Sequence, residues 1–159
     1  MISETTKAYI AGFLDGDGSI MLQLVHRKDY KFGYQIRASI CFYQKSQYKN
    51  ELKKLKEILK FGYIRDRNDG ISEYTIVGIN DVKQVLIMLQ PYILFKRKHV
   101  VEALKILNKI GYRRKILKDE FLKLAELVDS YSNLNYSKKR KHYCKNVEDF
   151  LNKRVDQPL

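Results

Sequence analysis

The chain has 159 residues, which suits one domain that buries about 70% of its unfolded surface. Lysine and arginine number 31 against 18 aspartates and glutamates, giving a net charge of +13 that favours a polyanionic partner. The sequence has neither an 18-residue apolar run nor an N-terminal signal peptide, so we expect a non-secreted nucleic-acid-binding protein that does not insert into a membrane. Its two cysteines, Cys41 and Cys144, lie in no CxxC or Cys/His cluster, which argues against a zinc site and a disulfide scaffold.

The first predicted element is a helix that begins at about Glu4, with Ser3 as its N-cap. Ala8, Gly12 and Gly16 recur at every fourth position and therefore share one face. A stripe of small residues allows a second backbone to approach closely. Because a glycine in mid-helix costs about 1 kcal/mol relative to alanine, we expect contact with another helix to compensate for it.

This helix ends in the sequence Asp15-Gly16-Asp17-Gly18. Carboxylates near a helix C-terminus are disfavoured by about 0.3–1 kcal/mol each, and a bound cation would reverse that penalty. The alternative is a simple turn from helix to strand, since aspartate and glycine both favour turns.

Alternating apolar and polar residues predict four strands in two hairpins, at residues 19–25, 34–43, 62–67 and 72–77. A polar, basic connection over residues 26–33 joins the first pair, and the turn Asn68-Asp69-Gly70 joins the second. A helix from Ser46, its predicted N-cap, to about Lys60 separates the two hairpins. The pattern predicts an antiparallel sheet with one face in solvent.

The remaining sequence predicts helices at about 81–89, 97–109 and 118–134, and a weak helix at about 147–153. The predicted fold class is therefore α+β, with the order α-ββ-α-ββ-α-α-α before the weak last helix. We expect a single domain over residues 1–136 and a basic tail over residues 137–159. The basic run in that tail has three interpretations: a solvated tail, a nuclear address or a contact to phosphate. Phosphate contact by Lys138, Lys139 and Arg140 fits the net charge without a further assumption.

The outward face of the predicted sheet is rich in hydrogen-bonding side chains. In the second strand Ser39 and Cys41 are also predicted to face outward. An ordinary solvated face is the alternative, but arginine pairs with guanine, glutamine with adenine, and glutamate accepts a hydrogen bond from cytosine. The candidate base contacts are Gln23, Gln35, Arg37, Arg65, Arg67, Glu73 and Thr75.

The segment Ile10-Ala11-Gly12-Phe13-Leu14-Asp15-Gly16-Asp17-Gly18 resembles the signature of the LAGLIDADG homing endonucleases. The resemblance implies a curved antiparallel sheet backed by helices. It also implies that the polar face of the sheet lies in the major groove of DNA, with Arg27 and Tyr30 of the first hairpin as further contacts. Only one copy of the signature is present, and single-motif members act as homodimers. The implied dimer interface contains Ala8, Ala11, Gly12 and Gly16.

The same resemblance implies Mg²⁺-dependent cleavage of double-stranded DNA at a long pseudo-palindromic site. Asp17 and the Gly16 carbonyl would hold the metal, which Mn²⁺ or Ca²⁺ can replace, and Asp15 would support the helix end. Gln44 and Lys96 match the remaining catalytic positions of the family. Tyr48 stands where the family carries a basic residue, and Lys45 or Lys49 could substitute for it.

Three other functions are compatible with part of this sequence. An intron RNA maturase or a non-cleaving DNA-binding protein could use the same scaffold. A basic ribosomal-type RNA protein would explain the charge but not the sequence Asp15-Gly16-Asp17-Gly18. For the endonuclease we expect an organelle, chloroplast or mitochondrion, or the cytoplasm of a prokaryote.

Overall fold

The computed structural model describes residues 1–111, 115–135 and 139–155. Its elements follow the predicted order and confirm the α+β class. They are α1 (Glu4–Asp17), β1 (Gly18–His26), β2 (Tyr34–Lys45), α2 (Lys49–Leu59), β3 (Tyr63–Asp66), β4 (Ile71–Val77), α3 (Ile79–Leu89), α4 (Arg97–Ile110), α5 (Lys118–Ser132) and α6 (Cys144–Val155). Among these described residues, no helix is both long enough and apolar enough to cross a membrane.

The four strands form one antiparallel sheet in the order β1-β2-β4-β3. In the β2–β4 pair, Cys41 lies opposite Thr75 and Tyr43 lies opposite Glu73. In the β3–β4 pair, Arg65 also lies opposite Glu73. The strand order therefore leaves β3 at an edge and places β2 and β4 in the interior of the sheet.

The chain divides into two compact units. The first unit consists of Met1–Met21 and Ala38–Leu104, and the second consists of Leu22–Arg37 and Lys105–Leu159. The first unit buries large apolar side chains from its sheet and helices, among them Leu14, Phe42, Leu52, Tyr74 and Leu86.

The second unit is built on aromatic contacts and on the last two helices. Phe32 stacks on Phe121 of α5, with the ring centroids 5.0 Å apart. Helix α6 packs against α5 and buries Val147 and Leu151. It is longer than the weak helix that the sequence predicted, because its apolar face has α5 to pack against. The predicted domain boundary at residue 136 stays a prediction.

The two predicted serine caps have different outcomes. The Ser3 hydroxyl accepts a hydrogen bond from the Thr6 N–H at 3.2 Å, so the predicted start of α1 is confirmed. The predicted cap at Ser46 is wrong, because α2 begins later, with Tyr48 at its N-cap position. The Ser46 hydroxyl instead hydrogen-bonds with the Ser72 hydroxyl at a distance of 3.0 Å.

Three residues that the two-residue period placed on the solvent face are buried. Ser39, Cys41 and Thr75 are at most 4% exposed. The Cys41 sulfur lies 3.4 Å from the Thr75 hydroxyl, across the β2–β4 pair. Side chains this short are covered by their neighbours when strands flank them on both sides. Thr75 is therefore a wrong prediction as a base contact.

Gly62 provides a test of the connection between α2 and β3. Its φ is +75°, and an added Cβ would collide with the carbonyl oxygen of Thr75. We expect Gly62→Ala to lower the free energy of unfolding by at least about 2 kcal/mol, since a left-handed conformation alone costs an alanine roughly 1–2 kcal/mol. Urea denaturation would measure this loss. Gly70→Ala is the matched control, because Gly70 has a φ of +78° and open space around it. Equal losses in the two variants would contradict the collision.

Candidate active site and nucleic-acid interface

The carboxylate of Asp15 binds the backbone of the segment that precedes α4. One oxygen, Oδ2, accepts hydrogen bonds from the N–H groups of Leu94 at 2.7 Å and Phe95 at 3.2 Å. The other, Oδ1, accepts a hydrogen bond from the Lys96 N–H at 2.9 Å. Because both oxygens are engaged by backbone donors, Asp15 has a structural role in this chain.

The side chain of Lys96 turns back to the end of α1. Its Nζ donates a hydrogen bond to the backbone carbonyl of Asp15 at 2.5 Å. The last carbonyls of an α-helix have no intrahelical donor, and a cation there is favoured by the macrodipole. The ammonium group is therefore fixed two residues before Asp17.

Asp17 is the last residue of α1, and its side chain is exposed. Within the residues that the structure describes, no hydrogen bond or ion pair to its carboxylate is found. The adjacent Gly16 also lies in the last turn, where carbonyl oxygens lack intrahelical donors. Two hard oxygen donors thus lie on consecutive residues at the negative end of a helix, and donors of this kind suit an ion such as Mg²⁺.

Gly18 allows β1 to begin directly after α1. A Cβ on this residue would lie 2.9 Å from the Cα of Leu14 and 2.6 Å from its side chain. Its φ of −109° is ordinary, so the close approach of Leu14 excludes a side chain here. This geometry places Asp17 at the junction of helix and strand.

Gln44 lies at the same end of the sheet. The Ser19 hydroxyl at the start of β1 lies 3.0 Å from the Tyr43 hydroxyl, so the end of β2 is beside the end of α1. Gln44 follows Tyr43 directly, and its Oε1 accepts a hydrogen bond from the Lys45 N–H at 3.1 Å. The first unit therefore brings Asp17, Gln44 and Lys96 to one end of its sheet.

Lys45 and Lys49, which could substitute for the basic residue that the family carries at the position of Tyr48, differ in their contacts. The Lys49 ammonium forms an ion pair with Asp66 at 2.7 Å. That contact lowers the pKa of Asp66 and directs Lys49 towards β3. Lys45 is exposed, at the end of β2 beside Gln44. The contacts therefore favour Lys45, and its role stays a prediction.

The candidate base contacts of the first unit form ion pairs on two different parts of the β3–β4 hairpin. Arg65 and Glu73 form an ion pair of 2.6 Å between neighbouring strands. Arg67 follows the end of β3 and pairs with Asp69 of the hairpin turn at 2.7 Å. Arg65 is therefore presented by a strand, whereas Arg67 is presented by a turn.

The candidate contacts of the second unit lie on β1, on β2 and in their connection. Gln23 is exposed, whereas Gln35 and Arg37 are partly buried. In the connection, the Arg27 N–H donates a hydrogen bond to the Gly33 carbonyl at 2.8 Å, which leaves the exposed Arg27 side chain on an ordered backbone. Tyr30 is exposed as well.

Of the three predicted phosphate contacts in the basic run, Arg140 is engaged within the protein. The Arg140 side chain is 12% exposed and forms an ion pair with Asp129 of α5 at 2.7 Å. It also donates a hydrogen bond to the Ser132 hydroxyl at 2.9 Å. Arg140 is therefore a wrong prediction as a DNA contact, because its charge is used within the second unit. Lys139 is exposed, and Lys138 lies outside the described residues.

One group of acidic and sulfur ligands occurs in the second unit. Potential ligand atoms of Glu126, Cys144 and Glu148 lie within 4.8 Å of one another. Burial raises the pKa of the Cys144 thiol to about 11, and these carboxylates add to the shift. The thiol is therefore protonated at neutral pH.

Comparison with known proteins identifies the family. The family model described as LAGLIDADG endonuclease matches residues 10–107 of this chain. The chain belongs to the LAGLIDADG endonuclease family. The DNA endonuclease I-CvuI of Chlorella vulgaris is 35% identical over 146 residues, which are 92% of this chain and 89% of that protein. The DNA endonuclease I-CreI of Chlamydomonas reinhardtii is 36% identical over 143 residues, 90% of this chain and 86% of that protein.

The solved structures agree with the family. A crystal structure of the homing endonuclease I-CvuI in complex with its target, in the presence of Ca, matches with a TM-score of 0.87 and 33% identity. The match covers 97% of both chains. The archaeal intron-encoded homing endonuclease I-Vdi141I, 18% identical with a TM-score of 0.80, shares the fold.

Helix α1, which contains the LAGLIDADG signature, has its predicted small residues on the protein surface, with one exception. Ala8, Gly12 and Gly16 are exposed in the described chain. Ala11 is 0% exposed, so its predicted place in a dimer interface is wrong. A residue adjacent to Gly12 lies about 100° further around the helix, and here that direction leads into the core.

One contact of the site could not be predicted from the LAGLIDADG sequence. It is the set of hydrogen bonds that the Asp15 carboxylate accepts from the backbone N–H groups of Leu94, Phe95 and Lys96. These partners are about 80 residues away in sequence. Local patterns carry no signal for such a contact. The resemblance implied only that Asp15 supports the helix end and did not identify these partners.

Proposed function

We propose that this LAGLIDADG endonuclease is a homodimer that cuts both strands of a long, pseudo-palindromic DNA site with Mg²⁺. The observation that carries the proposal is the exposed Asp17 carboxylate at the end of α1, two residues from the helix carbonyl that Lys96 binds. The named relatives I-CvuI and I-CreI are DNA endonucleases. Structures of I-CvuI with DNA were obtained in the presence of Ca or Mg.

The proposed chemistry assigns separate tasks to three side chains. Asp17 and the Gly16 carbonyl would hold the divalent cation, which when bound neutralises phosphate charge and activates water for hydrolysis. Lys96 holds a positive charge beside this position and would stabilise the charge that develops on the phosphate. Gln44 would orient water with its carboxamide. No side chain of this set has to act as a covalent nucleophile.

The homodimer is supported by the exposed face of α1. An added Cβ on either Gly12 or Gly16 would meet nothing within 4 Å, so the chain itself does not require glycine there. A second copy of α1 packed against this face would explain both residues. A two-fold axis through this contact would bring two Asp17 residues together and imply two related half-sites.

The DNA contacts that remain after the corrections include side chains of both units. Side chains on the strands would contact base edges, and the connection between β1 and β2 would add further contacts. Lys139 would contact phosphate. The proposed DNA-contact set is Gln23, Arg27, Tyr30, Gln35, Arg37, Arg65, Arg67 and Glu73.

A cleavage assay on the natural flanks of the gene tests the proposal. If the gene lies in an intron, the joined flanking sequences form the candidate target, which is placed in a plasmid. We expect a double-strand cut at the junction with Mg²⁺, and binding without a cut after the metal is removed with EDTA. Absence of both binding and cutting, with a dimer confirmed in solution, would overturn the proposed activity.

Gly12→Leu tests the dimer separately from the chemistry. We expect it to weaken dimerisation about 100-fold, because each protomer adds a side chain to a close helix contact at a cost of about 1–3 kcal/mol. Sedimentation equilibrium would measure the dissociation constant. Gln84→Leu is the matched control, since it adds the same side chain at an exposed position of α3. An unchanged dimer in Gly12→Leu would show that α1 is not the interface.

A further inference from the structure

A row of polar side chains crosses all four strands in the first unit. On β1, the Ser19 hydroxyl lies 3.0 Å from the Tyr43 hydroxyl of β2. Tyr43 lies opposite Glu73 of β4, and Glu73 lies opposite Arg65 of β3. We call these four residues the polar row. The polar row extends from Ser19, two positions after Asp17, to Arg65 on the edge strand β3.

Within the polar row, Glu73 and Arg65 differ sharply in exposure. The Glu73 side chain is 12% exposed, whereas the Arg65 side chain is 65% exposed. Their ion pair, Arg65 Nη2 to a Glu73 carboxylate oxygen, is 2.6 Å long. The carboxylate is therefore mostly covered and already engaged, while most of the guanidinium faces outward.

We propose that Glu73 is a positioning residue that orients Arg65 for recognition of one base pair, rather than a base contact itself. The proposal rests on the proposed function, because it assumes that this face binds DNA. It revises the expectation that Glu73 accepts a hydrogen bond from cytosine. A guanidinium has five N–H donors in a planar fork, so one edge can pair with Glu73 while another faces a guanine.

The benefit of this arrangement is specificity. An ion pair with an exposed partner contributes little to the stability of the fold. A flexible arginine, however, loses side-chain freedom when it forms a bidentate contact, and prior orientation reduces that loss. Holding Arg65 in place therefore strengthens the contact with the correct base relative to an incorrect one.

The side chain of Tyr43 is neutral, so Arg65 is the charged partner of Glu73 within the polar row. Burial raises the pKa of Tyr43, and the nearby Glu73 adds to the shift. The phenol is therefore neutral at physiological pH and hydrogen-bonds to Ser19. Glu73 thus lies between a neutral neighbour on β2 and a cationic neighbour on β3.

A double-mutant cycle with Glu73→Gln and Arg65→Ala tests the proposal. Binding would be measured in Ca²⁺ on the target and on a panel carrying each single base-pair change. We expect the native protein to discriminate at one base pair per half-site by roughly 10–100-fold through Arg65. Glu73→Gln should reduce that discrimination about tenfold at the same base pair. The double variant should match Arg65→Ala alone.

Two further variants control for charge and folding. Asp66→Asn removes a carboxylate from the adjacent position of β3 and should leave the base preference unchanged. Glu73→Asp keeps the charge and should retain part of the discrimination, which makes the test independent of how well Glu73→Gln folds.

The outcomes separate the two proposals. Discrimination that is undiminished in Glu73→Gln, or a Glu73→Gln effect that persists in the Arg65→Ala background, would overturn the positioning role. The second result would show that Glu73 contacts a base itself. If the native protein shows no base-pair preference at any position of the panel, the proposed sequence-specific function fails instead.

Discussion

Asp17→Asn is expected to reduce DNA cleavage by at least about 1000-fold, because loss of the proposed charged metal ligand would remove several kcal/mol of transition-state stabilisation. Binding to the target should remain nearly unchanged. The Asp17 carboxylate is exposed, and no contact to it is found in the part of the chain that the structure describes. The change should therefore leave the fold and the polar face of the sheet intact.

Two assays on the purified variant separate these effects. Single-turnover cleavage in Mg²⁺ measures the catalytic loss, and binding in Ca²⁺ measures affinity without a cut. Asp149→Asn is a suitable control, because it neutralises an exposed carboxylate on α6 in the second unit. Retained cleavage and nicking by Asp17→Asn would exclude Asp17 as a metal ligand. A parallel loss of binding would instead assign it to DNA affinity.

Local sequence signals were sufficient for most of the fold. Helix α1 has a serine cap and no residue that breaks it, and the turn at Asn68-Asp69-Gly70 contains a glycine with a φ of +78°. Alternating residues identified the strands, because burial of one sheet face imposes a period of two. The motif placed Asp17 and Gly16 at the helix end, since their positions depend on α1 alone.

Three of the failures share a physical cause, which is a partner that the local sequence pattern does not reveal. Ser46 has a hydroxyl suited to capping, but Ser72 engages it. Arg140 belongs to a basic run, but Asp129 covers its charge. The period of two assigned Thr75 to a face but could not show that Cys41 lies beside it. The type and spacing of a side chain define the contacts that it can make, and its neighbours in the fold decide which of those contacts form.

Asp15→Ala is expected to lower the free energy of unfolding by about 2–4 kcal/mol. The substitution removes the acceptors of three backbone N–H groups, and hydrogen bonds to charged groups contribute roughly 1.5–3 kcal/mol each. The loss should be smaller than the sum of three such bonds, because water can reach the outer donors. Asp15→Asn keeps one acceptor oxygen and should give an intermediate loss. Urea denaturation would measure both variants.

Asp17→Ala is the matched control, two residues further along the same helix. It removes a carboxylate from the negative end of α1, so the free energy of unfolding should stay constant or rise by up to about 1 kcal/mol. Opposite effects of the two substitutions would show that the Asp15 carboxylate stabilises the fold and that the Asp17 carboxylate does not. Equal stabilities of Asp15→Ala and the native protein would show that the segment before α4 does not depend on this carboxylate.

Lys96→Met completes the comparison, because Lys96 contacts Asp15 in two ways. Its backbone N–H binds the Asp15 carboxylate, and its ammonium binds the Asp15 carbonyl. Methionine keeps the first contact and the length of the side chain but removes the charge. We therefore expect a stability loss of about 1 kcal/mol, smaller than that of Asp15→Ala, with a cleavage loss of about 100-fold. Asp15 would then act on cleavage by holding Lys96 in place, and Asp15→Asn should lose activity even at temperatures where it remains folded.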